Sequence, residues 1–273
     1  MLLRSIRKPR AIIWVVVPPY GCLQVAAQPL CTLYSGGSVA EAPFGCDWLE
    51  VGCGTGALSG TVLAQCEPRS LVAIDSSEAF IDMARARVPD PRAAFQIGDA
   101  QVLPVEDGSR DVIVSALVLN FVPDRAKALA EARRVARGGG VIGFYVWDYP
   151  GGGMQFMHAF WTAAVALNPA AAELSEDRRF PFCTPDNLIR LANDAGLCGV
   201  EVTAIEVPTV FKDFDDFWRP LALGAGPAPG YCMALAPLAR ERLKEALRES
   251  LAPNADSPIS LSARAWALKA AAP

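Results

Sequence analysis

Between Asp47 and Val146, short apolar runs alternate with stretches of helical periodicity, and few folds accept that alternation. Trp48-Leu49-Glu50-Val51, Leu71-Val72-Ala73-Ile74, Ala93 to Ile97, Val112-Ile113-Val114 and Val141 to Val146 read as five strands. A continuously apolar run such as 71–74 is expected of a strand covered on both faces. Ala57 to Gln65, Ser77 to Arg87 and a stretch from Asp124 to about Ala136 read as helices. Asp124 suits a helix cap, and Gly138-Gly139-Gly140 suits a stop. Repeated β-α units close into a parallel sheet with helices on both faces.

Beyond Val146 the regularity breaks. Gly151-Gly152-Gly153 opens a segment holding Phe156, His158, Phe160 and Trp161. Pro185 begins a helix to about Ala195, Val200 to Val207 reads as a sixth strand, and Ala236 to Leu251 as an amphipathic helix. Phe211 to Trp218 is acidic and aromatic, and Ile259 to Ala267 alternates as a last strand would. The expected fold is α/β: a doubly wound, Rossmann-like, seven-stranded, mostly parallel sheet with helices on both faces. At 273 residues the chain suits one domain with insertions.

Net charge is −4, which argues against nucleic acid as a partner. The first 40 residues carry Arg4, Arg7, Lys8 and Arg10 and no acid, so this piece differs from the body. Ala11 to Val17 followed by Val25-Ala26-Ala27 resembles a weak signal peptide, and the Arg-rich, acid-free character equally suits a transit peptide. A plain extension is the third reading, and Pro18-Pro19 shortens the apolar stretch and counts against export. Residues 1–45 are therefore set apart as an N-terminal extension, partly disordered or a lid. Residues 46–273 form the main domain, with a cofactor half at 46–146, substrate-side insertions at 147–256 and a last strand at 257–268.

Eight cysteines are scattered without a Cys-x-x-Cys pair, and His158 is the sole histidine, so no metal is expected. The spacing fits a reducing compartment better than a disulfide framework. No run reaches the roughly 18 apolar residues that span a bilayer. A cytoplasmic monomer or homodimer is expected.

The chemistry centres on Glu50-Val51-Gly52-Cys53-Gly54-Thr55-Gly56, where a strand enters a glycine-rich turn just before a helix. Such a turn lets a ligand approach the backbone, and the helix N-terminus behind it suits a polar group. Two cofactors fit. Gly52, Gly54 and Ala57 satisfy the dinucleotide pattern, with Asp75 placed to hold ribose hydroxyls. S-adenosylmethionine is favoured by Glu50, by the G-x-G-x-G spacing and by Gly98-Asp99-Ala100 after the third strand.

Together these motifs resemble the class I S-adenosylmethionine-dependent methyltransferases, nearest the branch with the ubiquinone and menaquinone C-methyltransferases. Leu49 to Gly56 looks like the first motif of that family, Ala73 to Ser77 the second, and Gly98 to Ala100 the third. Leu103-Pro104-Val105, Asp111 to Val122 with Pro123-Asp124, and Arg137 to Gly140 continue the likeness, which is strong from Asp47 to Tyr145. The resemblance implies that Gly52, Gly54 and Gly56 shape the turn around the methionine part, with Cys53 as a small turn residue. Glu50 would sit near the amino group and Asp75 would bind both ribose hydroxyls. Ser76 would lie beside the adenine, Asp99 at its amino group and the Ala100 backbone at a ring nitrogen. Ser115 would lie by the methionine end, contributing backbone rather than side chain. Each has a structural alternative: Asp75 as a helix cap, Asp99 as a turn residue, Glu50 as a hydrogen-bonded buried carboxylate.

An activated methyl donor leaves the protein chiefly to align the reactants, so catalytic residues are hard to read. Asp148, Tyr149 and His158 are candidates for a base, against plainer roles in a loop and on a helix face. Trp218, Arg219 and Tyr231 line an acceptor pocket or an aromatic core. The apolar tone suggests a small hydrophobic or aromatic acceptor. Relatives usually carry a helix over the cofactor before the first strand, often with a tyrosine. Residues 1–45 lack that pattern, and Tyr34 is the candidate remnant. The competing functions are an NAD(P)-dependent oxidoreductase and a non-catalytic relative that binds the cofactor or a partner.

Overall fold

Alternate residues of a strand face opposite sides of its sheet, and strand β3 (Asp47–Val51) buries both sides. Trp48 joins a cluster with Leu58, Val62, Leu71, Val112, Val114 and Trp147. Leu49 and Val51 join the other, with Ile113, Leu129, Ile142, Leu188 and Ala192. The apolar continuity of these runs is the consequence. The computed structural model describes residues 45–223, 227–251 and 257–273, and the backbone of strands β1 (Ile13–Val16) and β2 (Cys22–Val25). These last two pair antiparallel, in a region where no strand was expected. The rest of the N-terminal extension, including Tyr34, lies outside the described residues.

The main sheet has seven strands in the order β5-β4-β3-β6-β7-β9-β8, as expected for the doubly wound class. Here β4 is Ser70–Asp75, β5 Ala93–Ile97, β6 Arg110–Ala116, β7 Ala136–Trp147, β8 Cys198–Phe211 and β9 Ile259–Ala271. The five strands β3 to β7 pair in parallel. Strand β9 inserts antiparallel between β7 and β8. The chain runs outward from β3 through β4 to β5, then returns to β6 on the other side of β3. That reversal opens a crevice at the carboxyl ends of these strands, where open α/β sheets bind ligands.

The parallel strands are linked by helices α1 (Ala57–Gln65), α2 (Glu78–Arg87) and α3 (Arg125–Val135). Asp124 caps α3, its carboxylate accepting from Lys127 N at 2.9 Å. Asp124→Ala is expected to cost about 1 kcal/mol of stability, read as a lower denaturant midpoint at unchanged slope. An unchanged midpoint would refute the cap.

The triple glycine does not lie beyond a helix stop. The chain passes from Val135 directly into β7, and Arg137 to Gly140 form an irregularity between the pairs Arg110–Ala136 and Val112–Val141. Strands β8 and β9 both run past the expected limits. Strand β8 is an edge strand with much of its surface exposed, so its polar residues break the apolar signal.

Helices α4 (Gln155–Leu167), α5 (Glu176–Arg179), α6 (Pro185–Asp194), α7 (Phe214–Trp218), α8 (Pro227–Ala234) and α9 (Pro237–Leu251) complete the fold. Phe156, Phe160, Phe211, Phe217, Trp218 and Leu243 form a separate aromatic core among them. Among the described residues no helix is long and apolar enough to cross a membrane. Among the described residues Cys53, Cys183, Cys198 and Cys232 are free thiols. Cys66 is disulfide-bonded, a pairing that the scattered spacing did not suggest.

Candidate functional site

The turn after β3 is built from backbone geometry. Gly52 has φ 77°, in the left-handed region, and a Cβ there would collide with the Val118 side chain. Its amide and that of Cys53 both donate to Ile74 O, at 2.7 and 2.9 Å. Gly56 starts α1 with no side-chain cap. Its hydrogen leans on α2, since a Cβ there would press on Val88 and Ala84. The turn is thus clamped against the β4–α2 unit, and the uncapped start of α1 opens toward the crevice.

That crevice is a cavity of about 460 Å³. Glu50, Gly52, Cys53 and Gly54 line it from the β3 end, Asp75 and Ser76 from β4, and Asp99 and Ala100 from β5. Eight of the ten predicted cofactor residues therefore meet in one place. Asp75 accepts from Gly54 N at Oδ2 and from Ser77 N at Oδ1, both at 2.9 Å. The N-cap of α2 is Ser77, so Asp75 is not the helix cap. Asp99 accepts from the backbone and side-chain amides of Gln101, which hold its carboxyl below the usual range.

Glu50 is 1% exposed and accepts from the Ser59 hydroxyl. Burial pushes its carboxyl up to about 8; the Ser59 hydrogen bond opposes this and the charge of Asp75 adds to it. Burial likewise raises the Cys53 thiol, so it is no thiolate nucleophile. Tyr145 lines the cavity on the same face of the sheet as Glu50, and its buried hydroxyl has no partner among the described residues. Burial raises this phenol, and the charge of Glu50 adds to the effect. Leu117, also in the wall, has φ 60°, a strained value for a non-glycine residue.

No lysine, arginine or histidine is among the described lining residues. A diphosphate would bring negative charge against Asp75 and Asp99 without a basic side chain to meet it. A ligand with a cationic centre, a ribose and an adenine fits the same groups.

A family model described as "Methyltransferase domain" matches residues 49–144. Residues 49–144 thus resemble a methyltransferase domain. Over 179 residues it is 43% identical to an uncharacterized 37.1 kDa protein in transposon TN4556 of Streptomyces fradiae, covering 60% of this chain and 46% of that protein. It is 29% identical over 215 residues to the malonyl-[acyl-carrier protein] O-methyltransferase of Dechloromonas aromatica, covering 78% and 75%. The chain thus spans less than half the length of the first relative and three quarters of the second. In fold it is similar to phosphoethanolamine N-methyltransferase 2 of Haemonchus contortus, solved with S-adenosyl-L-methionine. The TM-score is 0.55 and the identity 16%, covering 90% of this chain and 52% of that one.

Two of the residues predicted to hold the cofactor do not line the cavity. Gly56 serves the contact with α2 instead. Ser115 faces the opposite side of the sheet and borders a separate space of about 30 Å³ near α3. It pairs with Phe144, whereas Ala116 pairs with Tyr145. Neighbours in a strand point to opposite faces, so Ala116 and Tyr145 reach the cavity and Ser115 cannot. Tyr145 and Leu117 were missed. Tyr145 could have been found as a polar group near the carboxyl end of a parallel strand; Leu117 carries no sequence signal.

The three candidate bases also lie outside the cavity lining. Asp148 is 1% exposed and bound by Gly151 N at 2.9 Å and Arg264 Nε at 2.7 Å. Tyr149 packs its ring on Phe180 at 5.4 Å. His158 is exposed on α4. Trp218 is core, stacked on Phe214, and Tyr231 packs against Trp161.

Proposed function

We propose that this chain transfers a methyl group from S-adenosylmethionine to a small-molecule acceptor. One observation carries the reading. Three carboxylates from the ends of three adjacent strands converge on a cavity without basic lining, at the point where the sheet reverses direction. The cofactor, when bound, supplies a sulfonium-activated methyl group. Glu50 would hold its ammonium group, Asp75 the ribose hydroxyls with Ser76 beside the adenine, Asp99 the adenine amino group and the Ala100 backbone a ring nitrogen. The glycine turn would lie along the methionine part, and Leu117, Phe121 and Tyr145 would shut water from the reacting end. The protein's contribution is then alignment and desolvation, and no side chain needs to act as a base on a nucleophile that is already unprotonated.

On this reading 46–146 is the cofactor half and 147–256 the acceptor side, with residues 1–45 as the extension. The names of relatives, such as the malonyl-[acyl-carrier protein] O-methyltransferase, support small acceptors. We place the protein in the cytoplasm, as a monomer or homodimer that does not act on nucleic acid.

Calorimetric titration with S-adenosylhomocysteine tests the proposal. Micromolar binding, weakened at least tenfold in Asp75→Ala by loss of charge-assisted hydrogen bonds, is the expected result. A folded chain that binds NAD(H) and ignores S-adenosylhomocysteine would overturn it.

A further inference from the structure

A buried polar atom without a partner is uncommon, and each one asks for a reason. Two such side chains flank a wall of aromatic rings beside the cavity. Asn120, 2% exposed, has neither its side-chain oxygen nor its nitrogen in a hydrogen bond. Glu176, 3% exposed, accepts from Trp161 Nε1 at Oε2 and leaves Oε1 buried and unpartnered. No basic side chain among the described residues forms an ion pair with it. Arg179 is exposed, with its guanidinium over the Phe180 ring at 5.4 Å.

The rings connect these groups to the cofactor cavity. Asn120 sits in the single 3-10 turn Leu119–Phe121 that follows β6, and the next residue, Phe121, lines the cavity with 64% of its surface exposed. Phe121 meets Phe180 edge to face at 5.4 Å, and Phe180 meets Tyr149 at 5.4 Å. Tyr149 lies close enough to Glu176 for that charge to add to the effect of burial in raising its phenol. Touching rings thus link the cavity wall to Tyr149, whose phenol feels the charge of Glu176. Apart from Phe121, none of these residues is assigned to the cofactor.

We propose that this wall is the acceptor subsite and that it takes an apolar or aromatic amine. The nitrogen donates to Glu176 Oε1, and the body of the molecule lies along Tyr149, Phe180 and Phe121 toward the cofactor cavity. The inference rests on the methyltransferase reading for the word acceptor, and on the chain's own groups for the word amine. Arg179 is near enough for its charge to favour the carboxylate, but it is exposed and forms no ion pair with it; an ammonium both supplies the missing donor and is drawn to aromatic faces. A carboxylate-bearing molecule would be repelled. Asn120, with donor and acceptor both free, suits a second polar substituent.

The test compares phenethylamine, 2-phenylethanol and 3-phenylpropionate, which share a ring and differ in the terminal group. Each is titrated into the full chain saturated with S-adenosylhomocysteine, and again without it. The amine is expected to bind at least tenfold tighter than the alcohol, with the acid weakest. In Glu176→Gln that preference disappears while S-adenosylhomocysteine affinity stays within twofold. The wild-type comparison needs no variant, so it stands even if Glu176→Gln misfolds. Equal binding of amine and alcohol, no amine binding, or a preference that survives in Glu176→Gln would overturn the proposal. Failure of S-adenosylhomocysteine to bind would instead count against the methyltransferase reading, and the titration without it still reports on the amine.

Discussion

S-adenosylhomocysteine is expected to bind about tenfold tighter for each pH unit gained between roughly pH 6 and 8, and to level off above that. Glu50 is the cause. In the ligand-free protein burial holds its carboxyl at about 8, so at neutral pH it carries a proton. A bound ammonium pairs with the carboxylate and drives that proton off. Below the free-state value, each binding event therefore releases one proton, and lower pH opposes binding. Folding carries the opposite sign. Since the folded carboxyl lies above its ordinary value of 4.5, its contribution to stability is full below 4.5 and is lost as pH rises through about 8. The ligand-free protein loses melting temperature over that window, and the complex does not. Titrations in two buffers of different ionisation enthalpy count the proton directly, and Glu50→Gln removes the slope. A flat affinity over this range with no proton released would refute the account.

Arg264→Ala is expected to cost about 3 kcal/mol of folding stability, more than most single changes. Asp148 is sealed from solvent, and its remaining donor would be Gly151 N, at 2.9 Å. Arg264 reaches it from β9 through Nε and Nη2, the latter at 2.6 Å, and also contacts Glu206 at 3.3 Å. Removing the guanidinium leaves a buried carboxylate uncompensated. Asp148→Asn in the same chain should restore much of the loss, because the amide needs no counter-charge. Denaturant midpoints of the two single variants and the double variant measure the coupling. A loss under about 1 kcal/mol in Arg264→Ala would show that the pair behaves as a surface ion pair.

The part of the site that was legible is the part written in backbone. Glycines at a strand-to-helix turn and acids at strand ends stand at fixed offsets, so Glu50, Asp75 and Asp99 were placed from sequence alone. What could not be read is phase. Val112-Ile113-Val114 is apolar throughout because both faces of β6 are buried, and nothing in that run says which residue faces the cavity. The facing of the Ser115 and Ala116 side chains, and of Tyr145 within the apolar run of β7, is hidden for this one reason. Long-range pairing was equally hidden. Asp148 read as a loop acid because its partner lies 116 residues further along. Trp218 read as a possible pocket wall because the aromatic core it joins is gathered from α4, α7, β8 and α9.

The absence of any basic side chain from the described lining of the cofactor cavity has a kinetic meaning. A field set by the fixed charges of Asp75 and Asp99 admits ligands by their net charge, before shape is tested. On the proposed reading, donating a methyl group converts a sulfonium into a neutral thioether, so the spent donor would leave with one positive charge fewer than it brought. The same static field that draws the fresh donor in would then hold the exhausted one less firmly. Product release gains a bias of its own, without a hinge or a loop having to move.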